Sequence, residues 1–219
     1  SYKSGSDDRN RLQAKYDQMA GETIDIPLII GGKQVTTKQQ GQCVMPHDHQ
    51  HVLGNFHMAG ENEVSEAIES SMLAWKTWSK TSLEERTKVF RKAAELLQGP
   101  WRDTINAATM LNQSKNAFQA EIDAACELID FFNFNCQYAE DIHNNQPLIS
   151  PEGVKNSLEY RPLEGFVFAI TPFNFTSIAG NLPCAPALMG NVAIWKPASS
   201  AVLPCYYLME MLKEAGLPD

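Results

Sequence analysis

Two short apolar runs, residues 166–170 and 192–195, each end in a turn containing proline and lead into a stretch with helical spacing, 177–189 and 201–215. Apolar strands without polar alternation belong to sheets covered on both faces, and strands separated by helices pair in parallel. The order therefore predicts a β-α-β-α series, the start of a doubly wound, Rossmann-like α/β parallel sheet. Gly216 fits the position just past the last helix, and Leu217-Pro218 leads toward a third strand. The series stops at that point, so the sheet is expected to be incomplete and the chain to be part of a longer protein.

The residues before this series follow other periods. The runs 26–30 and 34–37 flank Gly31-Gly32 and predict a hairpin. His47, His49 and His51, with His57 beyond, predict a polar turn before another short strand. A metal site is the alternative reading, but no separated partner cluster would close the coordination. From residue 62, Val64, Ala67, Ile68, Met72, Trp75 and Trp78 recur at three- and four-residue intervals and predict an amphipathic helix. Ser82-Leu83-Glu84-Glu85 has the form of a capping box, and Val89, Phe90, Ala93, Leu96 and Leu97 continue a second helix that Gly99-Pro100 ends. A third helix is predicted over 101–111. A fourth, over 116–139, would turn Ala120, Ala124, Leu128, Phe131 and Phe132 inward.

Residues 144–164 break the helical pattern with Pro147, Pro151, Gly153 and Pro162, and 157–161 alternates like an extended edge strand. Three parts are therefore expected. Residues 1–143 form a hairpin and a helical region, 144–164 form an oligomer-contact arm or a plain surface hairpin, and 165–219 begin the parallel sheet.

Several function classes are disfavoured by composition. A formal net charge of −8 with no basic stripe argues against nucleic acid and anionic membranes as partners. No apolar run approaches the roughly 20 residues of a spanning helix. Residues 1–19 are mixed in charge and lack a signal-peptide core or an Arg-rich transit pattern. Cys43, Cys126, Cys136, Cys184 and Cys205 show no Cys-x-x-Cys spacing, which predicts reduced, mostly buried thiols. The Asn-x-Ser/Thr matches at Asn112 and Asn174 read as coincidental.

Ligands of open parallel sheets lie beyond the carboxyl ends of the strands. Thr171-Pro172-Phe173-Asn174-Phe175 follows the first strand and Lys196-Pro197 follows the second, so one ligand could touch both turns. Asn174 offers a neutral NH₂ donor able to stabilise an oxyanion, and Lys196 offers an ammonium for hydroxyls or phosphates. Each has a plainer reading. An Asn here could cap the helix starting near Thr176, and a Lys at a strand end is usually solvated. No Gly-x-Gly-x-x-Gly motif is present.

At these residues the chain resembles the aldehyde dehydrogenase superfamily. The resemblance rests on Pro172-Phe173-Asn174-Phe175 and Lys196-Pro197, and it extends to its 1-pyrroline-5-carboxylate dehydrogenase branch through the runs 119–125, 127–132, 164–167, 180–182, 185–192 and 214–218. The resemblance implies NAD-dependent oxidation of L-glutamate γ-semialdehyde to L-glutamate in proline catabolism, in a homodimer of the mitochondrial matrix, with this chain as the N-terminal two-fifths or so. It implies that Asn174 is the oxyanion donor and that Thr171 and Lys196 touch NAD, with Ile170, Pro172, Phe173 and Ser199 as companions. Phe175 and Glu121 would line the substrate pocket. Ser199 departs from the Glu that many aldehyde dehydrogenases place three residues after the Lys to hold ribose hydroxyls. The family's chemistry also needs a Cys nucleophile and a Glu base. Neither motif occurs here, Cys184 and Cys205 read as packing thiols, and the chain alone is expected to be inactive. A dehydrogenase for a different aldehyde and a non-catalytic binding or dimerisation module remain as alternatives.

Overall fold

The computed structural model describes residues 2–218; Ser1 and Asp219, the outer ends of the first and last expected parts, lie outside the described residues. The chain opens with helix α1 (Asp7–Ala20), which the sequence reading did not anticipate. The Ser6 hydroxyl accepts from the Arg9 N–H, Asp7 and Asp8 occupy the first turn, and Leu12 and Met19 bury one stripe. Both end effects favour a helix start at this point.

Strands β1 (Ile24–Ile26), β2 (Leu28–Ile30) and β3 (Lys33–Val35) follow, with β2 and β3 forming the expected antiparallel hairpin around Gly31-Gly32. Both glycines have positive φ, as a tight hairpin turn requires. Strands β4 (Gln40–Met45) and β5 (Asp48–His57) form a second, longer hairpin, and β1 adds to β5 in parallel. The expected polar turn is therefore shorter than the sequence suggested. Only His47 stays in it, while His49, His51 and His57 lie on β5, whose ladder with β4 extends the strand.

The helices match the period-based expectations. Helix α2 (Glu61–Trp78) buries Trp78, but Val64, expected inward, is exposed. Helix α3 (Leu83–Gln98) starts with the reciprocal Ser82–Glu85 capping box and stops at Gly99. Helix α4 is Arg102–Gln113. The long fourth helix begins as α5 (Ala117–Ala120), widens into a π turn (Glu121–Cys126) and continues as α6 (Glu127–Asn144).

The strand predicted at 157–161 does not form. Residues 154–161 run exposed, and Leu158 and Asn156 give their N–H groups to the side chains of Gln146 and Ser150. With no strand beside the segment to complete a ladder, alternation alone makes no sheet.

The β-α-β-α series is present as β6 (Val167–Ile170), α7 (Thr176–Leu188), β7 (Ala193–Lys196), a 3₁₀ turn (Ser199–Ala201) and α8 (Val202–Glu214). Strands β6 and β7 pair in parallel as an incomplete sheet of two. The apolar run on β6 is not buried on both faces. Ala169 is enclosed, whereas Phe168 and Ile170 are 55% and 62% exposed, because alternate strand residues face opposite sides and one side is open.

Two apolar clusters hold these parts together. Phe90, Leu97, Leu128, Phe132, Leu208 and Met211 join α3, α6 and α8, with Cys184 and Leu188 of α7 in the same cluster. Ala107, Ala108 and Leu111 of α4 and Leu203 of α8 bury α1 and the β1-β5-β4 sheet through Leu12, Ile26, Cys43 and Leu53. Helices α4 and α8 are thereby fixed against the first sheet, which places the end of α4 beside the turn after β6. Among the described residues, no helix is long and apolar enough to cross a membrane.

Candidate functional site

The parallel register sets the geometry. Ile170 of β6 lies opposite Lys196 of β7, so the turns carrying Asn174 and Lys196 leave the same end of the pair. Thr171 links them, with its N–H donating to the Lys196 carbonyl at 3.2 Å and its hydroxyl accepting from the Trp195 indole at 3.0 Å. Its side chain is buried by these contacts.

Asn174 does not cap α7. The N-cap residue is Phe175, and it makes no side-chain capping bond. Among the described residues the Asn174 side chain has no hydrogen-bond partner, and the residue is exposed. The amide therefore stands free beyond the strand ends. The Lys196 and Ser199 side chains are likewise exposed and without partners among the described residues. Ile170 and Phe173 are exposed beside them and Pro172 is half-buried.

The turn itself is held from below. Lys115 Nζ donates to the Asn174 backbone carbonyl and pairs with Asp123 at 2.5 Å. The same ammonium lies 4.4 Å from the centroid of the Phe175 ring, so one face of that ring is occupied by a cation. One residue on, the buried Thr176 hydroxyl meets the Thr109 hydroxyl and accepts from Gln113 Nε2, both at 2.9 Å.

Glu121 sits in the π turn, a distortion that often accompanies functional positions. Its carboxylate accepts from both Nε and Nη2 of Arg102, from Tyr2 Oη at 2.7 Å and from Asn106 Nδ2 at 2.7 Å. Burial alone would raise its pKa, but these hydrogen bonds and the Arg102 charge outweigh it and hold Glu121 below the ordinary carboxylate value. Tyr2 is pushed up by burial and by its bond to that carboxylate. No hydrogen bond or ion pair among the described residues joins Glu121 to the Asn174 turn. The two are linked through the π turn, which also carries Asp123.

None of the five thiols is activated. Burial is the leading cause in each case, pushing Cys43 and Cys136 up to about 11 and Cys184 up to about 12, and raising Cys205 and Cys126. Cys184 and Cys205 are core residues of α7 and α8, in keeping with their reading as packing thiols. His47 meets the Ser114 hydroxyl at 2.6 Å, His51 meets the Ala20 carbonyl at 2.7 Å, and His57 is buried between Thr37 and Asp25. Among the described residues no group of three or more His, Cys, Asp or Glu side chains is placed to hold a metal ion.

Of the residues singled out from sequence, the fold brings Ile170, Thr171, Pro172, Phe173, Asn174, Phe175, Lys196 and Ser199 to one end of β6 and β7. Glu121 is held in a separate polar cluster. Lys115, Asp123, Arg102, Tyr2 and Asn106 were not assigned roles from sequence. Asp123 lies in a motif noted for the resemblance, but a helix of regular pitch gives no reason to pair it with Lys115.

The sequence matches the aldehyde dehydrogenase family over residues 34–219. It is 46% identical over 218 residues to a probable delta-1-pyrroline-5-carboxylate dehydrogenase of Schizosaccharomyces pombe, covering 99% of this chain and 40% of that protein. It is 45% identical to the mitochondrial delta-1-pyrroline-5-carboxylate dehydrogenase of Homo sapiens, covering 99% of this chain and 38% of that protein. The fold superposes on the Mycobacterium tuberculosis delta-pyrroline-5-carboxylate dehydrogenase bound with NAD at a TM-score of 0.97 and 49% identity, covering all of this chain and 41% of that one. The chain thus spans about two-fifths of the length of the curated relatives it matches.

Proposed function

Because the chain belongs to the aldehyde dehydrogenase family, we propose that it is the N-terminal part of an enzyme that oxidises L-glutamate γ-semialdehyde to L-glutamate with NAD, in proline catabolism. The observation that carries this reading is the Asn174 amide, without a partner among the described residues, at the carboxyl end of a parallel strand pair whose last register pair is Ile170 and Lys196. The choice of aldehyde is supported by relatives near 45% identity that are named for 1-pyrroline-5-carboxylate.

In this reading Asn174 donates a hydrogen bond to the substrate's carbonyl oxygen as that oxygen takes on negative charge. A neutral amide does so without titrating, and fixed donors cost no reorganisation when the charge develops. The groups around it suit NAD. Ile170, Pro172 and Phe173 offer apolar surface, Lys196 and Ser199 offer unpaired polar groups for hydroxyl or phosphate oxygens, and Thr171, its side chain turned inward, offers backbone. NAD bound there would supply the hydride acceptor. The free face of Phe175 would pack on the aliphatic part of the substrate, and Glu121 would border the pocket as a carboxylate.

Four of the five thiols are buried and the fifth is half-buried, and none carries the nucleophile motif of the family, so this chain alone is proposed to be inactive. The exposed segment 144–164, which follows the hairpin-and-helix part and precedes the sheet and holds Leu148 and Ile149 open to solvent, would serve as the contact with a second subunit of a homodimer. A mitochondrial matrix location follows the named mitochondrial relatives. The test is NADH formation by the full-length protein on a panel of aldehydes. L-glutamate γ-semialdehyde should give the highest kcat/KM, and a panel led by an aldehyde without a carboxylate would refute the substrate assignment.

A further inference from the structure

Among the described residues the Asn174 amide has no side-chain hydrogen-bond partner, so its direction follows from the backbone of its turn. That backbone is anchored upstream where Thr171 bonds to Lys196 and Trp195, and downstream where the Thr176 hydroxyl meets Thr109 and Gln113. Between these anchors lies the Asn174 carbonyl, and its donor is Lys115 Nζ. Lys115 sits between Ser114, whose left-handed backbone (φ 52°) ends α4, and Asn116, whose side chain caps α5. Its side chain is only 13% exposed and meets three groups at once: the Asn174 carbonyl, the Asp123 carboxylate and the Phe175 ring. A solvated lysine would have none of them.

Asp123 reaches this position from the π turn. Glu121 and Asp123 are two residues apart and point to different sides of the helix, so one serves the Arg102 cluster and the other serves Lys115. Because Asp123 neutralises most of its charge, Lys115 is poorly suited to stabilise an oxyanion directly. What it can do is fix the carbonyl, and with it the direction of the Asn174 side chain.

We infer that Lys115, held by Asp123, is a positioning residue for the Asn174 amide. The inference rests on the reading of Asn174 as the oxyanion donor. Hydrogen bonds of this kind are steeply sensitive to placement, and a displacement of about 1 Å can cost about 100-fold in rate.

The test uses the full-length enzyme with Lys115→Met, Asp123→Asn, Asn174→Ala and the double variant Lys115→Met/Asn174→Ala. Lys115→Met should lower kcat about 10- to 100-fold while leaving the KM for NAD near its original value, and Asp123→Asn should lower kcat in the same direction. The double variant should match Asn174→Ala alone to within about 2-fold, since a positioning residue has nothing left to aim once the amide is gone. A purely structural role predicts instead that the two losses multiply. Multiplying losses, or an unchanged kcat in Lys115→Met, would overturn the inference. If Lys115→Met fails to fold, Asp123→Asn decides, and an unchanged kcat there would also overturn it. An unchanged kcat in Asn174→Ala would instead remove the oxyanion reading on which the inference stands.

Discussion

Replacing Arg102 with methionine keeps most of the side chain's length and removes the charge and both N–H groups that face Glu121. The two side chains are 28% and 19% exposed. Breaking a fully buried pair costs about 3–5 kcal/mol, while exposed pairs contribute about 0–1 kcal/mol. Glu121 would keep Tyr2 and Asn106 as donors, so a loss of about 2 kcal/mol is expected. At about 2–4 °C per kcal/mol for a unit of this size, Tm should fall by about 4–8 °C at neutral pH.

The same variant tests the electrostatic origin. Glu121 is held below its ordinary value of 4.5 in the folded state, so the unfolded chain takes up the proton first as pH falls. Its contribution is complete above that ordinary value and disappears as pH falls through the lower folded value. The Tm gap between the parent protein and Arg102→Met, followed by circular dichroism, should therefore narrow below about pH 4. A gap of the same size at neutral pH and at about pH 3 would refute the charge argument and leave only packing.

Other expectations follow from packing and burial. Gly190 has φ 89°, and a Cβ there would lie 2.8 Å from Pro162 Cγ and 3.2 Å from Arg86 Nη1; Gly190→Ala should lower stability by about 2–4 kcal/mol, seen as a fall in Tm, and a neutral effect would contradict the crowding. Maleimide labelling mapped by mass spectrometry should modify the half-buried Cys126 before Cys184 and Cys205, which should react only on unfolding. Prompt native labelling of Cys184 would contradict its place in the core.

Elements with a strong local signal were legible in the sequence. The Ser82–Glu85 box and the three-to-four spacing of Phe90, Ala93 and Leu97 fixed α3 because capping and amphipathicity are local properties. The two turns after β6 and β7 were legible for a similar reason, since the β-α-β order sets which strand ends coincide. The strand expected at 157–161 failed because a ladder needs a neighbour that no local pattern supplies. Helix α1 carries a start signal in Ser6, Asp7 and Asp8, but only Leu12 and Met19 of its residues are buried, so the apolar period behind that signal is weak. Lys115 was hidden because its bond to Asn174 spans 59 positions, and its partner Asp123 lies eight residues on, across a helix start.

The most direct test is the kcat of Asn174→Ala in the full-length enzyme, measured by NADH formation at saturating NAD and L-glutamate γ-semialdehyde. Loss of an oxyanion donor predicts a fall of about 10²- to 10³-fold, equal to about 2.7–4 kcal/mol of transition-state stabilisation, with NAD affinity nearly unchanged. A kcat within about 2-fold of the parent enzyme would contradict the role assigned to the free amide at the end of β6.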